Sequence, residues 1–222
     1  MSTTSTSRKP KALVFDFDGV ILQSVDIKTK AFGALFAGEA PEAVARIVAH
    51  HLANGGISRF EKFRHAYREV LRRPLSAEEE KALGDRFNAL VEQAVSVCPW
   101  VPGAREFLEK HHARLPLFVA SGTPQVELRR IVERRGLSGF FRGVYGTPDK
   151  KDVILRKVAA ELACAPSDLL MIGDAGNDYD AARAVGAAFV GVAAPGAPEP
   201  FPPGVAVLPD LTGLEGLLAA GI

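Results

Sequence analysis

The chain has 222 residues, with 27 Lys and Arg against 26 Asp and Glu, a net charge of +1, 47% hydrophobic residues and 24% charged ones. That balance excludes disorder over most of the chain, which needs low hydrophobicity or a large charge imbalance. It also argues against nucleic acid or an anionic membrane as partner, because both are held by a basic excess or stripe.

Residues 1–11, MSTTSTSRKPK, are polar and Ser/Thr-rich, which predicts a disordered tail and offers no signal-peptide core. No stretch reaches the roughly 18 apolar residues of a membrane span, so a cytoplasmic protein is expected. Ala12–Phe15 is a short apolar run that ends at Asp16, and similar runs recur at Leu115–Ala120, Leu169–Ile172, Ala187–Val192 and Val205–Leu208. Each has strand length without alternation, as parallel strands buried on both faces require.

Residues 24–97 break that rhythm with four helical stretches, near 26–37, 41–53, 59–72 and 77–96. The third follows the turn pair Gly55-Gly56 and opens with Ser58 and Glu61, the spacing of a capping box, which Ser76 and Glu79 repeat at the fourth. Helical patterns then alternate with the apolar runs at Ala104–His111, Gln125–Arg135, Lys151–Leu162 and Asp178–Val185. The chain therefore reads as a doubly wound, mainly parallel, Rossmann-like α/β sheet. Its core is discontinuous, 12–23 and 97–222, and a helical insertion occupies 24–96. Five of the nine residues from Pro195 to Pro203 are proline, which predicts a stiff connecting loop. Cys98 and Cys164 are far apart, with neither a CxxC pair nor a nearby histidine, so no disulfide framework or structural zinc is expected.

Chemistry-bearing residues gather where the apolar runs end. Asp16 and Asp18 stand two residues apart directly after the first run, at the edge where open parallel sheets bind ligands. They are either turn acids or a nucleophile beside a proton carrier. Ser121-Gly122-Thr123-Pro124 follows the second run; Thr123 suits a helix N-cap and Pro124 the first helical position, so free amides would collect beside Ser121 and favour an anion. Asp174 and Asp178, in Gly173-Asp174-Ala175-Gly176-Asn177-Asp178, end another run with hard oxygen ligands of the kind Mg²⁺ takes. Lys150 or Lys151 brings a cation before a helix.

This ordered set resembles the haloacid dehalogenase superfamily, whose motifs are a strand ending DxD, a strand ending Ser or Thr, a Lys before a helix, and GDxxxD. The resemblance spans residues 12–192 and includes a helical cap inserted after the first motif. It implies Asp16 as the nucleophile that forms an aspartyl-phosphate, Asp18 as general acid and base, and Ser121 with the Gly122 amide as phosphate holders. Lys151, in the spacing K-x-x-I-L, is the implied lysine. Asp16, the Asp18 backbone carbonyl and Asp174 would bind Mg²⁺, with Asp178 supporting. The implied activity is phosphatase action on a small phosphorylated metabolite. A sugar phosphomutase shares every motif; a dehalogenase would need neither Asp18 nor GDxxxD, and a non-catalytic scaffold would not need the set. Within the cap, Arg59 is either a solvated surface residue or the group that holds the non-reacting end of the substrate, with His50, His51 and Lys62 similarly undecided. The oligomeric state is not legible.

Overall fold

Alternate residues of the first strand enter two separate cores. A strand turns successive side chains to opposite faces. Leu13 and Phe15 pack with Phe107, Leu128 and Ile131, while Ala12 and Val14 pack with Ile154, Val158 and Ala182. This is the physical content of an apolar run without alternation: both faces are covered.

The structure, a computed structural model, describes residues 9–196 and 200–221. The expected disordered tail lies outside the described residues up to residue 8, as do residues 197–199 of the proline-rich loop. Lys11, included in that tail, is held instead: its amide donates to the Asp168 carbonyl at 2.8 Å and its ammonium stands 2.9 Å from Asp168 Oδ2.

The strands are β1 (Ala12–Phe15), β2 (Leu117–Pro124), β3 (Gly143–Thr147), β4 (Leu169–Gly173), β5 (Ala188–Val192) and β6 (Val207–Leu208). The helices are α1 (Val25–Leu35), α2 (Pro41–Ala53), α3 (Arg59–His65), α4 (Ala77–Val97), α5 (Ala104–His111), α6 (Gln125–Arg134), α7 (Lys151–Glu161), α8 (Gly176–Val185) and α9 (Leu214–Ala220). Among the described residues the sheet has the order β3-β2-β1-β4-β5-β6, with every neighbouring pair parallel. Helices α5, α6 and α9 cover one face, and α7 and α8 cover the other. Strand order departs in opposite directions on the two sides of β1, so the carboxyl end of β1 is the switch point at which such sheets open a crevice.

Two elements were not expected, β3 and α9. Thr123 is not a helix N-cap: β2 runs on to Pro124, which itself precedes the first residue of α6. A register shift between Ala120 and Pro124 sets Ser121-Gly122-Thr123 in an irregular stretch of strand. Nor does Ser58 share a box with Glu61. Its hydroxyl accepts from the Phe60 amide at 3.3 Å, whereas the Ser76 and Glu79 box is complete.

Helices α1 to α4 form the inserted segment, and α3 continues as a π-helical turn over Ala66–Leu71. Their core is aromatic: the Phe32 ring lies 5.6 Å from Phe63 and 4.9 Å from Phe87, centroid to centroid. The segment enters and leaves side by side. Leu22 bridges Trp100, and the Gln23 amide donates to the Pro99 carbonyl at 2.9 Å.

Candidate active site

Asp16 follows β1 with its amide hydrogen-bonded to the Ile172 carbonyl of β4 at 2.8 Å, so the sheet ladder itself fixes where its carboxylate emerges. Oδ1 accepts from the Phe17 amide at 2.7 Å, and Oδ2 faces Lys151 Nζ at 3.0 Å. The same ammonium pairs with Asp178 Oδ1. Asp178 sits in the first turn of α8, where its Oδ2 accepts from the Ala175 amide at 3.1 Å. Asp174 completes the group: ligand oxygens of Asp16, Asp174 and Asp178 all lie within 4.8 Å of one another.

The electrostatics of this cluster are unbalanced. Burial, opposed by Lys151 and reinforced by Asp178 and Asp18, lifts the Asp16 carboxyl to about 7. Burial and the Asp16 and Asp178 charges lift Asp174 well above the ordinary range. Lys151 is held protonated, because the two carboxylates outweigh the burial that would neutralise it. One ammonium thus serves three converging acids. Hard oxygens on short loops with negative charge to spare are the donor set of a small divalent cation, so the residues fit a metal site. Gly19 leaves the room this needs: a Cβ there would stand 2.1 Å from Asp174 Oδ2.

Asp18 turns its carboxylate away from the cluster. Ser24 Oγ donates to Oδ1 at 2.5 Å, Lys28 Nζ donates to Oδ2 at 2.5 Å, and Thr123 Oγ1 lies 3.3 Å from Oδ2. Burial would raise this carboxyl, but the Lys28 charge and the hydrogen bonds from Lys28 and Ser24 hold it below its ordinary value. Lys28 Nζ also donates to Thr123 Oγ1 at 2.8 Å. Ser121 is buried beside it and accepts from the Thr123 amide at 3.1 Å. The inserted segment lies directly on this edge: a Cβ on Gly122 would stand 2.4 Å from the Gly56 carbonyl oxygen, and one on Gly56 would stand 2.4 Å from Asn177 Oδ1 and 2.8 Å from Lys151 Nζ.

The structure therefore brings together Asp16, Asp18, Ser121, Gly122, Lys151, Asp174 and Asp178. Of the two lysines, Lys150 is exposed and Lys151 is buried among the acids. It does not bring Arg59 to them. The Arg59 guanidinium is buried against Glu127 of α6 and lies 4.7 Å over the Phe87 ring. Lys28 and Thr123 were missed as site residues. A lysine on a helix reads as solvated; only Phe32, one turn later on the same face, hints that Lys28 points inward.

Comparison with known proteins is consistent along the chain. The haloacid dehalogenase-like hydrolase family matches residues 10–186. A phosphoglycolate phosphatase of Vibrio parahaemolyticus serotype O3:K6 is 28% identical over 196 residues, 84% of this chain and 85% of the relative. Among solved structures, a predicted phosphoglycolate phosphatase from Haemophilus somnus 129pt superposes with a TM-score of 0.71 at 18% identity, covering 94% of this chain and 97% of that one. CbbY from Rhodobacter sphaeroides in complex with xylulose-(1,5)bisphosphate superposes with a TM-score of 0.73 at 16% identity, covering 92% and 96%. At those identities the superpositions speak for the fold.

Proposed function

The chain belongs to the haloacid dehalogenase-like hydrolases, and from that premise we propose that it is a Mg²⁺-dependent phosphatase acting on a small phosphorylated metabolite through an aspartyl-phosphate on Asp16. The observation that carries this reading is the convergence of Asp16, Lys151, Asp174 and Asp178 at one sheet edge, with Ser121 and Asp18 beside them.

Asp16 is placed to attack. Its Oδ1 is fixed by the Phe17 amide and its Oδ2 by Lys151, so the carboxylate is presented in one orientation. An Asp16 oxygen forms the new bond to phosphorus as the bond from phosphorus to the ester oxygen breaks, and Asp18 gives that oxygen its proton. In the second half, Asp18 takes a proton from water as the water oxygen attacks phosphorus and Asp16 is released. Lys28 and Ser24 hold Asp18 ionised in the free enzyme, so the proton that it gives to the ester oxygen is taken up from solvent as the phosphate enters beside it. Lys151 and the Ser121 hydroxyl hold the phosphoryl oxygens. Asp16, Asp174 and the Asp18 backbone carbonyl would hold Mg²⁺, with Asp178 supporting through Lys151; bound there, the ion neutralises phosphoryl charge next to the carboxylates.

Residues 24–96 act as a cap on a core of 12–23 and 97–222. The close approach of Gly56 to Gly122, the Lys28 contact with Asp18 and the Arg59 pair with Glu127 all support a cap seated on the core edge. A screen of phosphate monoesters with Mg²⁺, repeated with chelator and with Asp16→Asn, tests the reading. Turnover that needs both the metal and Asp16 supports it; turnover indifferent to either overturns it.

A further inference from the structure

The inserted helices carry one buried cation that no acid balances. Lys62 of α3 is 5% exposed, and its ammonium donates to His51 Nδ1 at 3.1 Å and to the His51 carbonyl at 3.2 Å, with the Phe32 ring 5.7 Å away. No carboxylate lies within ion-pair distance of it among the described residues. His51 stacks on Phe32 at 4.2 Å, and towards a protonated Lys62 its Nδ1 is the acceptor, with the ring proton on Nε2. Phe32, the ring that the Lys62 ammonium faces, lies one helical turn after Lys28 on α1, so Lys62 stands on the side of the inserted segment that holds Lys28 against Asp18.

We propose that Lys62 and Lys28 form the subsite for a carboxylate at the non-reacting end of the phosphate ester, with His51 orienting Lys62, so that the substrate is a short phosphorylated hydroxy acid. This rests on the phosphatase reading above. The donor count supports a carboxylate in particular. An ammonium has three N–H donors; Lys62 spends two on His51, and Lys28 spends two on Asp18 and Thr123. One donor remains on each, two in all, against the two oxygens of a carboxylate; a second phosphate brings three. Lys62 is buried against the Phe32 ring, where a charge-assisted hydrogen bond is strongest. Burial, and then the Lys28 charge, depress Lys62 to about 7, and burial with the Lys62 charge depresses His51 to about 3. Methionine at position 62 would pack on Phe32 without that cost, so the amine serves no packing need.

The test pairs two esters that differ only at the far end, 2-phosphoglycolate and 2-hydroxyethyl phosphate. Lys62→Met should lower kcat/KM for 2-phosphoglycolate by about 100-fold and for 2-hydroxyethyl phosphate by less than about fivefold, with Lys62→Arg recovering part of the loss. In parallel, calorimetry on Asp16→Asn should show 2-phosphoglycolate binding that Lys62→Met abolishes. Equal losses on both esters, or none, together with unchanged binding, overturn the subsite. Binding that depends on Lys62 without any turnover by the wild-type chain would instead overturn the phosphatase reading and leave the subsite standing.

Discussion

Lys151 Nζ lies 3.0 Å from Asp16 Oδ2 while pairing with Asp178, so one buried ammonium ties the end of β1 to the first turn of α8. Both acids already titrate above their unfolded value of 3.8, and without the lysine they rise further. An acid whose folded pKa is raised costs stability as pH climbs from its unfolded towards its folded value. Lys151→Met should therefore destabilise by about 3 kcal/mol at pH 8 and much less at pH 5, with turnover down by at least about 100-fold. Urea melts at the two pH values check this; an equal loss at both contradicts it.

The opposite sign holds for Lys62. Its folded pKa, about 7, lies below the unfolded 10.5, so the folded state carries a penalty at pH 6 that fades as pH rises through that window. Lys62→Met should melt several degrees above wild type at pH 6 and converge with it near pH 10. A variant less stable than wild type at pH 6 would show that the ammonium supports the fold.

Arg59 and Glu127 join α3 to α6 through a buried pair, and Glu127 Oε1 is left with no hydrogen-bond partner. Arg59→Met strands a buried carboxylate, which costs about 3–5 kcal/mol, and adding Glu127→Met should restore most of it. The single variant should depress turnover of 2-phosphoglycolate and 2-hydroxyethyl phosphate alike. A change in their ratio would return Arg59 to the substrate site.

Gly56 has φ +73°, and a Cβ there meets Asn177 and Lys151. Gly56→Ala should push the inserted segment off the edge and lower kcat/KM by about tenfold or more. Gly136, at φ +67° with nothing near its added Cβ, is the control: Gly136→Ala should cost about 1 kcal/mol and leave the kinetics alone.

The strands buried on both faces were legible because burial leaves an apolar run: Ala12–Phe15 and Leu169–Gly173 are wholly covered. β3, Gly-Val-Tyr-Gly-Thr, is an edge strand only partly buried, and its two glycines read as turn residues. Asp16, Asp174 and Lys151 could be read because each lies directly where a strand ends or a helix begins. Lys28 could not, and Lys62 stayed undecided, since their surroundings exist only once four helices fold back over the sheet. Arg59, considered for the substrate, pairs instead with Glu127, a partner 68 residues away in sequence that no local pattern points to.

The proposed reaction stands or falls on Asp16 carrying the phosphoryl group. Acid quenching during turnover of 2-phosphoglycolate with Mg²⁺, followed by mass spectrometry of the proteolysed chain, reads it directly. One added phosphoryl group is expected on the peptide containing Asp16, absent in Asp16→Asn and absent with chelator. Steady turnover with that peptide unmodified throughout, or the group found on another residue, would contradict it.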